Sequence, residues 1–201
     1  MILNLAEAPA YVINLEESIH NFNHTKQVLN ECGINNVHRT TGIRIFPYWI
    51  GVAMAHLSIL QKIVKDNVFP AMVFEDDIDV TQWKQPVQIT VPDNTDAYYL
   101  GISLAGKARE QSFLMAPNLY RVRAMLAAHA IVYVSRAYTE RLCEGIIQTV
   151  FDRKLPFDIA TAELQFQYNV FCPKYPYFLQ SDAKNSTNKW QFLTDKPIKE
   201  D

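Results

Sequence analysis

Glu75, Asp76, Asp77 and Asp79 place four carboxyl groups within five positions of the chain. Ionised carboxylates so close repel one another unless water, cationic side chains or a metal ion screens them. An all-oxygen ligand set suits a hard divalent cation, Mn²⁺ or Mg²⁺, that keeps part of its water shell and bridges to a diphosphate. Calcium fits less well, because the spaced oxygen ligands and closing Glu of an EF-hand loop are missing. The plainer alternative is a solvated acidic strand end.

The acids follow Ala71-Met72-Val73-Phe74, an apolar tetrad with no polar side. Such a run predicts a strand buried on both faces at the centre of a parallel sheet. In open α/β sheets ligands bind beyond the carboxyl ends of the strands, so the acids stand where chemistry is expected. Tyr11 to Leu15 (YVINL) is a second strand signal, expected to pair near the acidic strand. Further strands are expected at Val37 to Thr41, Ala97 to Leu100, Leu119 to Arg123 and Ala128 to Val134.

Helices are expected between them. Asn21 to Cys32 carries a short apolar stripe and stops at Gly33, which can take the left-handed cap conformation. Ile50 to Asn67 has the strongest pattern, with Ile50, Ala53, Leu57, Leu60 and Val64 on one stripe. Arg136 to about Val150 is a third. Ile159 to Gln167 is a fourth, with Asp158 placed to cap it. Val80 to Asp96 reads as a surface excursion, and Gly101 to Asn118, with Lys107 and Arg109, as a loop of lid length. Cys172 to Gln180 is punctuated by proline, and residues 184–201 form a polar tail. The alternation of strands and helices favours a mixed, mainly parallel α/β sheet flanked by helices.

At 201 residues and 49% hydrophobic, the chain is long enough for one complete core, so residues 1–201 are expected to form a single domain. A net charge of -2, with no basic stripe, argues against a nucleic-acid partner. Cys32, Cys143 and Cys172 are widely spaced, without a C-x-x-C pair, which points to neither a disulfide framework nor structural zinc. No stretch approaches the ~20 apolar residues of a transmembrane segment, and no signal-peptide pattern opens the chain. The expectation is a soluble, cytoplasmic protein.

Six fragments taken in order, YVINL, GVAMAHLSIL, AMVFEDDID, DAYYLG, AHAIVYVS and PFDIATAE, resemble glycosyltransferase family 25. These are the lipopolysaccharide-type and collagen-type galactosyl- and glucosyltransferases with a GT-A fold. The family's strand ending in I-N-L is matched by Ile13-Asn14-Leu15, and its G-C-x-x-S-H helix start is similar to Gly51 through His56. Its E-D-D is met by Glu75-Asp76-Asp77, its D-x-x-Y-L-G by Asp96 to Gly101, and its H-A-Y strand by His129-Ala130-Ile131. The likeness runs from Tyr11 to about Ser186. Members carry arginines soon after I-N-L, where this chain has Glu16-Glu17-Ser18-Ile19-His20. Val52 and Ala55 stand for the Cys and Ser of the helix start.

The resemblance implies a GT-A-like, nucleotide-diphospho-sugar transferase fold and a metal-dependent hexosyl transfer with inversion. The donor would be a nucleotide-sugar, UDP-hexose by resemblance alone, and the acceptor a glycan or a protein-linked hydroxyl. It implies nucleotide contacts at Ile13, Asn14, Leu15, Thr41, Gly42, His56, Glu75 and Asp76, and a metal on Asp77 with Asp79. Lys26, Arg39 or Arg44 would replace the missing arginines. Inversion needs a base near the acceptor hydroxyl. Asp158 is the candidate, with Glu163 behind it, although Asp158 could equally be a helix cap. His56 and His129 are each either buried structural histidines or site residues, His129 as an orienter of a carboxylate or part of the metal shell. The alternatives are a sugar nucleotidyltransferase and a non-catalytic domain that kept the fold.

Overall fold

The computed structural model describes residues 1–81, 87–102, 107 and 111–180. The chain opens with β1 (Ile2–Asn4) and β2 (Ala10–Asn14), a single 3-10 turn, α1 (Ile19–Glu31) and β3 (Val37–Thr41). Then come α2 (Tyr48–Asp66), β4 (Ala71–Glu75), β5 (Ile78–Val80), β6 (Gln88–Thr90) and β7 (Ala97–Tyr99). The remainder is β8 (Phe113–Ala116), β9 (Leu119–Arg121), β10 (Ala130–Tyr133), α3 (Arg136–Ile147), α4 (Asp158–Leu164), β11 (Val170–Pro173) and β12 (Phe178–Gln180).

Eight strands form one mixed sheet in the order β3-β2-β4-β10-β7-β11-β9-β8. All but β10 and β9 run in the same direction, since each of those two pairs antiparallel with both of its neighbours. β4 therefore has a parallel neighbour in β2 and an antiparallel one in β10.

The sheet separates two apolar layers, and β4 feeds both. Ala71 and Val73 join a layer with Ile59, Leu60 and Ile63 of α2 and Tyr138, Leu142 and Ile146 of α3. Met72 and Phe74 point the other way, towards Val28 and Leu29 of α1, Leu3 of β1 and Phe178 of β12. All four are fully buried, which is why the run shows no alternation. Truncating Phe74 to Ala would cost about 3–5 kcal/mol.

The local signals are met with small shifts. Gly33 takes a φ of +82° after α1, and Asn67, with a φ of 53°, caps α2 in the left-handed region. The buried stripe of α2 is Ala53, His56, Ile59, Leu60 and Ile63, while Ile50, Leu57 and Val64 lie at its half-buried margin. Its apolar face is turned further than the pattern suggests, because His56 is buried and Leu57 only half so. Ser135 caps α3 by accepting from the Tyr138 amide at 3.3 Å. Asp158 is the first residue of α4 and not its cap, a position taken by Phe157 without a side-chain bond.

Six short strands, β1, β5, β6, β8, β11 and β12, have no sequence signal. β1 pairs antiparallel with β6 inside the expected surface excursion, and β12 pairs antiparallel with β5. β8 lies within the stretch expected to be a lid. Strands of three or four residues carry too few positions for a period to register, and only the long-range pairing defines them. Arg109, Ser181, Ser186 and the polar tail lie outside the described residues.

Candidate functional site

The parallel register of β2 on β4 sets Ile13 opposite Glu75 and brings the two carboxyl ends together. Asn14, only 1% exposed, donates its side-chain amide to the Asp76 carboxylate and, at 2.8 Å, to the Ser18 carbonyl. Its side-chain oxygen accepts from Arg39 Nε at 2.7 Å. The Arg39 guanidinium also donates to the carbonyls of Leu15 (3.1 Å) and Glu16 (3.0 Å). Arg39, one of the three cations expected to replace the missing arginines, ties down the turn after β2. Thr25 of α1 holds the Asp76 carbonyl at 2.9 Å. Lys26 is exposed on α1.

A cavity of about 490 Å³ opens over these strand ends. Ile13, Leu15 and Gly42 form one wall, Arg44, Tyr48 and His56 another, and Glu75, Asp76 and Asp77 the acidic floor. Gly42 donates its amide to the Asn14 carbonyl at 2.8 Å, and a Cβ there would meet the Asn14–Leu15 backbone at 3.0 Å. Arg44 contributes the guanidinium at this cavity, paired with Glu17 at 2.8 Å while both stay exposed. Thr41 ends β3 opposite Asn14 but is exposed and does not line the cavity.

The four acids do not share one set of partners. Glu75 receives His56 Nε2 at 3.3 Å on one oxygen and Gln180 Nε2 at 3.0 Å on the other. Burial pushes its pKa up, but the hydrogen bond and charge of His56, the charge of His129 and the Gln180 amide outweigh it, so Glu75 sits below its ordinary value. Asp77 accepts from the same Gln180 nitrogen at 3.4 Å. Asp79 is buried in β5, away from the cavity, and meets His24 of α1 at 3.1 Å. Among the described residues no three His, Cys, Asp or Glu side chains are grouped to hold a metal. The two acids expected to share a metal are set apart: Asp77, in the turn between β4 and β5, lines the larger cavity, while Asp79, in β5, meets His24 of α1.

A second cavity, about 250 Å³, adjoins the first and shares Glu75 and Val52 with it. Trp49, His129, Phe157, Asp158 and Gln180 also line it. Phe157 stacks on His56, ring centroids 4.5 Å apart, so the entry to α4 leans on the histidine that holds Glu75. Burial raises the pKa of Asp158; hydrogen bonds from its own and the Ile159 backbone amide oppose the rise, and the Glu75 charge adds to it. His129 is buried, which lowers its pKa, with the Glu75 charge and a bond to the Phe178 backbone acting against that. Its Nε2 is packed against Gly101, where a Cβ would fall 2.0 Å away.

Glu163 is elsewhere. It is exposed and pairs with both guanidinium nitrogens of Arg153 at 2.8 Å, lining neither cavity. Five residues advance a helix by about 140° beyond a full turn, so Asp158 and Glu163 face different sides of α4. Lys107 donates its backbone amide to the Ala124 carbonyl at 3.1 Å.

Neither a protein-family model nor a curated protein sequence matches the chain. Among solved structures it is similar to a glycosyltransferase involved in the glycosylation of the major capsid of PBCV-1, at 9% identity and a TM-score of 0.43, over 83% of this chain and 92% of that one. It is also similar to the CTP:phosphocholine cytidylyltransferase of Streptococcus pneumoniae, at 10% identity and 0.45, over 86% and 92%. A third is the nucleoside-diphosphate-sugar pyrophosphorylase of Vibrio cholerae RC9, at 12% and 0.41, over 84% and 73%. At such identities and scores only the chemistry of the site itself bears on activity. Among the described residues no helix is long and apolar enough to cross a membrane.

Several lining residues carried no clear signal in the sequence. Tyr48 and Trp49 begin α2 just before the expected start at Ile50, and adjacency to the helical stripe is the available hint. Gln180 stands in a proline-punctuated stretch where nothing local assigns it a task. Gly51 is the clearest gain from structure: a Cβ there would fall 2.2 Å from the Ile43 carbonyl oxygen, so glycine lets α2 approach the loop that walls the first cavity.

Proposed function

We propose that the chain is a glycosyltransferase that binds a nucleotide-sugar, UDP-hexose by resemblance, in the larger cavity and an acceptor hydroxyl in the smaller. The observation that carries this reading is the pair of adjoining cavities at the carboxyl ends of β2 and β4, joined through Glu75 and with Asp158 in the second. An enzyme that joins two substrates needs two compartments that meet at one point. A floor of three carboxylates with no soft ligand suits Mn²⁺ or Mg²⁺, and, since no three such groups converge among the described residues, an ion held by Asp77 and completed by substrate phosphates fits better than an all-protein cage. Such a cation, when bound, supplies charge neutralisation for the diphosphate leaving group.

In this reading the anomeric carbon of the donor lies near Glu75, where the cavities meet. The acceptor oxygen attacks that carbon, its proton passes to the Asp158 carboxylate, and the bond from the anomeric carbon to the phosphate oxygen breaks. The nucleoside diphosphate leaves with that electron pair. The raised pKa of Asp158 brings its basicity nearer neutrality, as a general base requires. Asn14, fixed by Arg39 and Asp76, holds Ile13 and Leu15, which wall the nucleotide end, and the Arg44 guanidinium stands within reach of an anion. Acceptor identity, a glycan or a protein-linked hydroxyl, stays open in this proposal.

The test is a screen of nucleotide-sugars with Mn²⁺, following slow release of free sugar and nucleoside diphosphate. Release from one UDP-sugar and not from others names the donor. Pyrophosphate release from a nucleoside triphosphate and a sugar phosphate, with no sugar release, would replace the proposal with nucleotidyl transfer.

A further inference from the structure

One nitrogen links the two cavities. Gln180 Nε2 donates to Glu75 Oε2 at 3.0 Å and lies 3.4 Å from Asp77 Oδ2. Both acceptors are carboxylates, so the amide must present its nitrogen and not its oxygen, and its two hydrogens can serve the two acids. Gln180 lines the smaller cavity, whereas Asp77 lines the larger one. Glu75 faces both. The contact spans more than a hundred positions of sequence and exists because β12 returns antiparallel onto β5, setting Gln180 opposite Ile78.

We propose that Gln180 is a positioning residue whose side-chain amide, holding Glu75 and Asp77 together, aims the Asp77 carboxylate into the larger cavity and ties its orientation to the floor of the smaller one. This rests on the reading of the larger cavity as a cation-assisted nucleotide-sugar site. Two carboxylates two residues apart at a strand end diverge by repulsion when nothing lies between them. A neutral double donor draws them together without adding a positive charge that would compete with a cation. His56 secures the far oxygen of Glu75, while Gln180 reaches both Glu75 and Asp77. Groups that orient a ligand in this way typically change metal affinity by about 10–100-fold when removed.

The experiment measures UDP binding to the full chain by calorimetry, once with Mn²⁺ and once with EDTA, for wild type, Gln180→Met and Gln180→Asn. Met keeps the volume and removes the donors; Asn keeps the amide but is one methylene too short to span both acids. The expected result is that Gln180→Met loses about tenfold in the Mn²⁺-dependent affinity, with UDP affinity in EDTA unchanged, and that Gln180→Asn falls between. A merely structural role would lower both affinities together, and that outcome overturns the positioning role. Equal Mn²⁺-dependent binding by wild type and both variants also overturns it, while leaving the nucleotide site intact. Wild type without any Mn²⁺-dependent UDP binding overturns the site reading itself, and the role of Gln180 with it. Should Gln180→Met fail to fold, Gln180→Asn carries the same comparison.

Discussion

His56, completely buried in α2, meets the Glu75 carboxylate at 3.3 Å while Phe157 stacks on its other side. A helix, the central strand and the entry to α4 are thereby joined through one imidazole.

This pair predicts a pH dependence. Glu75 is held below its ordinary 4.5, so it binds fewer protons in the folded chain than in the unfolded one. Its contribution to stability is full above the unfolded value and is lost as pH falls through the lowered folded one. Glu75→Gln should cost about 1–3 kcal/mol at pH 7. It should also flatten the acid limb of stability below pH 4.5, as followed by urea unfolding across pH. An unchanged acid limb would count against the His56–Glu75 contact.

Asp158 behaves in the opposite sense. Burial raises its folded pKa above the ordinary 3.8, so stability falls as pH rises from that value through the folded one. Asp158→Asn should therefore be as stable as wild type at neutral pH, or more so. As the proposed base it should still lose about 10²–10⁴-fold in transfer rate. Melting curves beside turnover of the donor identified above separate the two effects, and full activity in the variant removes Asp158 from the mechanism.

Asn14→Ala breaks the Arg39–Asn14–Asp76 chain and leaves buried polar groups without their partner. The expected loss is about 1–3 kcal/mol, with weakened nucleotide binding because the turn after β2 walls the larger cavity. Chemical denaturation and UDP calorimetry measure both. A variant as stable as wild type would mean that water replaces the amide at no cost.

Gly51→Ala drives a methyl group to 2.2 Å from the Ile43 carbonyl oxygen. Either α2 or the loop must move, at about 1–3 kcal/mol, and the loop carries Ile43 and Arg44, which line the cavity. A drop in melting temperature with weaker UDP binding is expected. Unaltered melting would show that the loop yields freely.

Glu163→Gln removes only an exposed ion pair with Arg153. Such pairs contribute about 0–1 kcal/mol, and the side chain lines neither cavity. Turnover should match wild type, and a loss of tenfold or more would return Glu163 to the catalytic machinery.

The sequence by itself determined the central strand, because four consecutive apolar residues leave no solvent face, and it determined the stop at Gly33, because that depends on neighbours within one turn. It also determined that carboxylates crowd the strand end and that Asp158 opens a helix. Only the tertiary structure decided what each acid faces. Beyond Glu75 the chain leaves the strand period, so side-chain direction follows the turn and not a pattern: Asp76 goes to Asn14, Asp77 to Gln180 and Asp79 to His24. Those partners come from β2, β12 and α1, between about fifty and a hundred positions away. Their approach is set by strand pairing and layer packing, which no local spacing encodes.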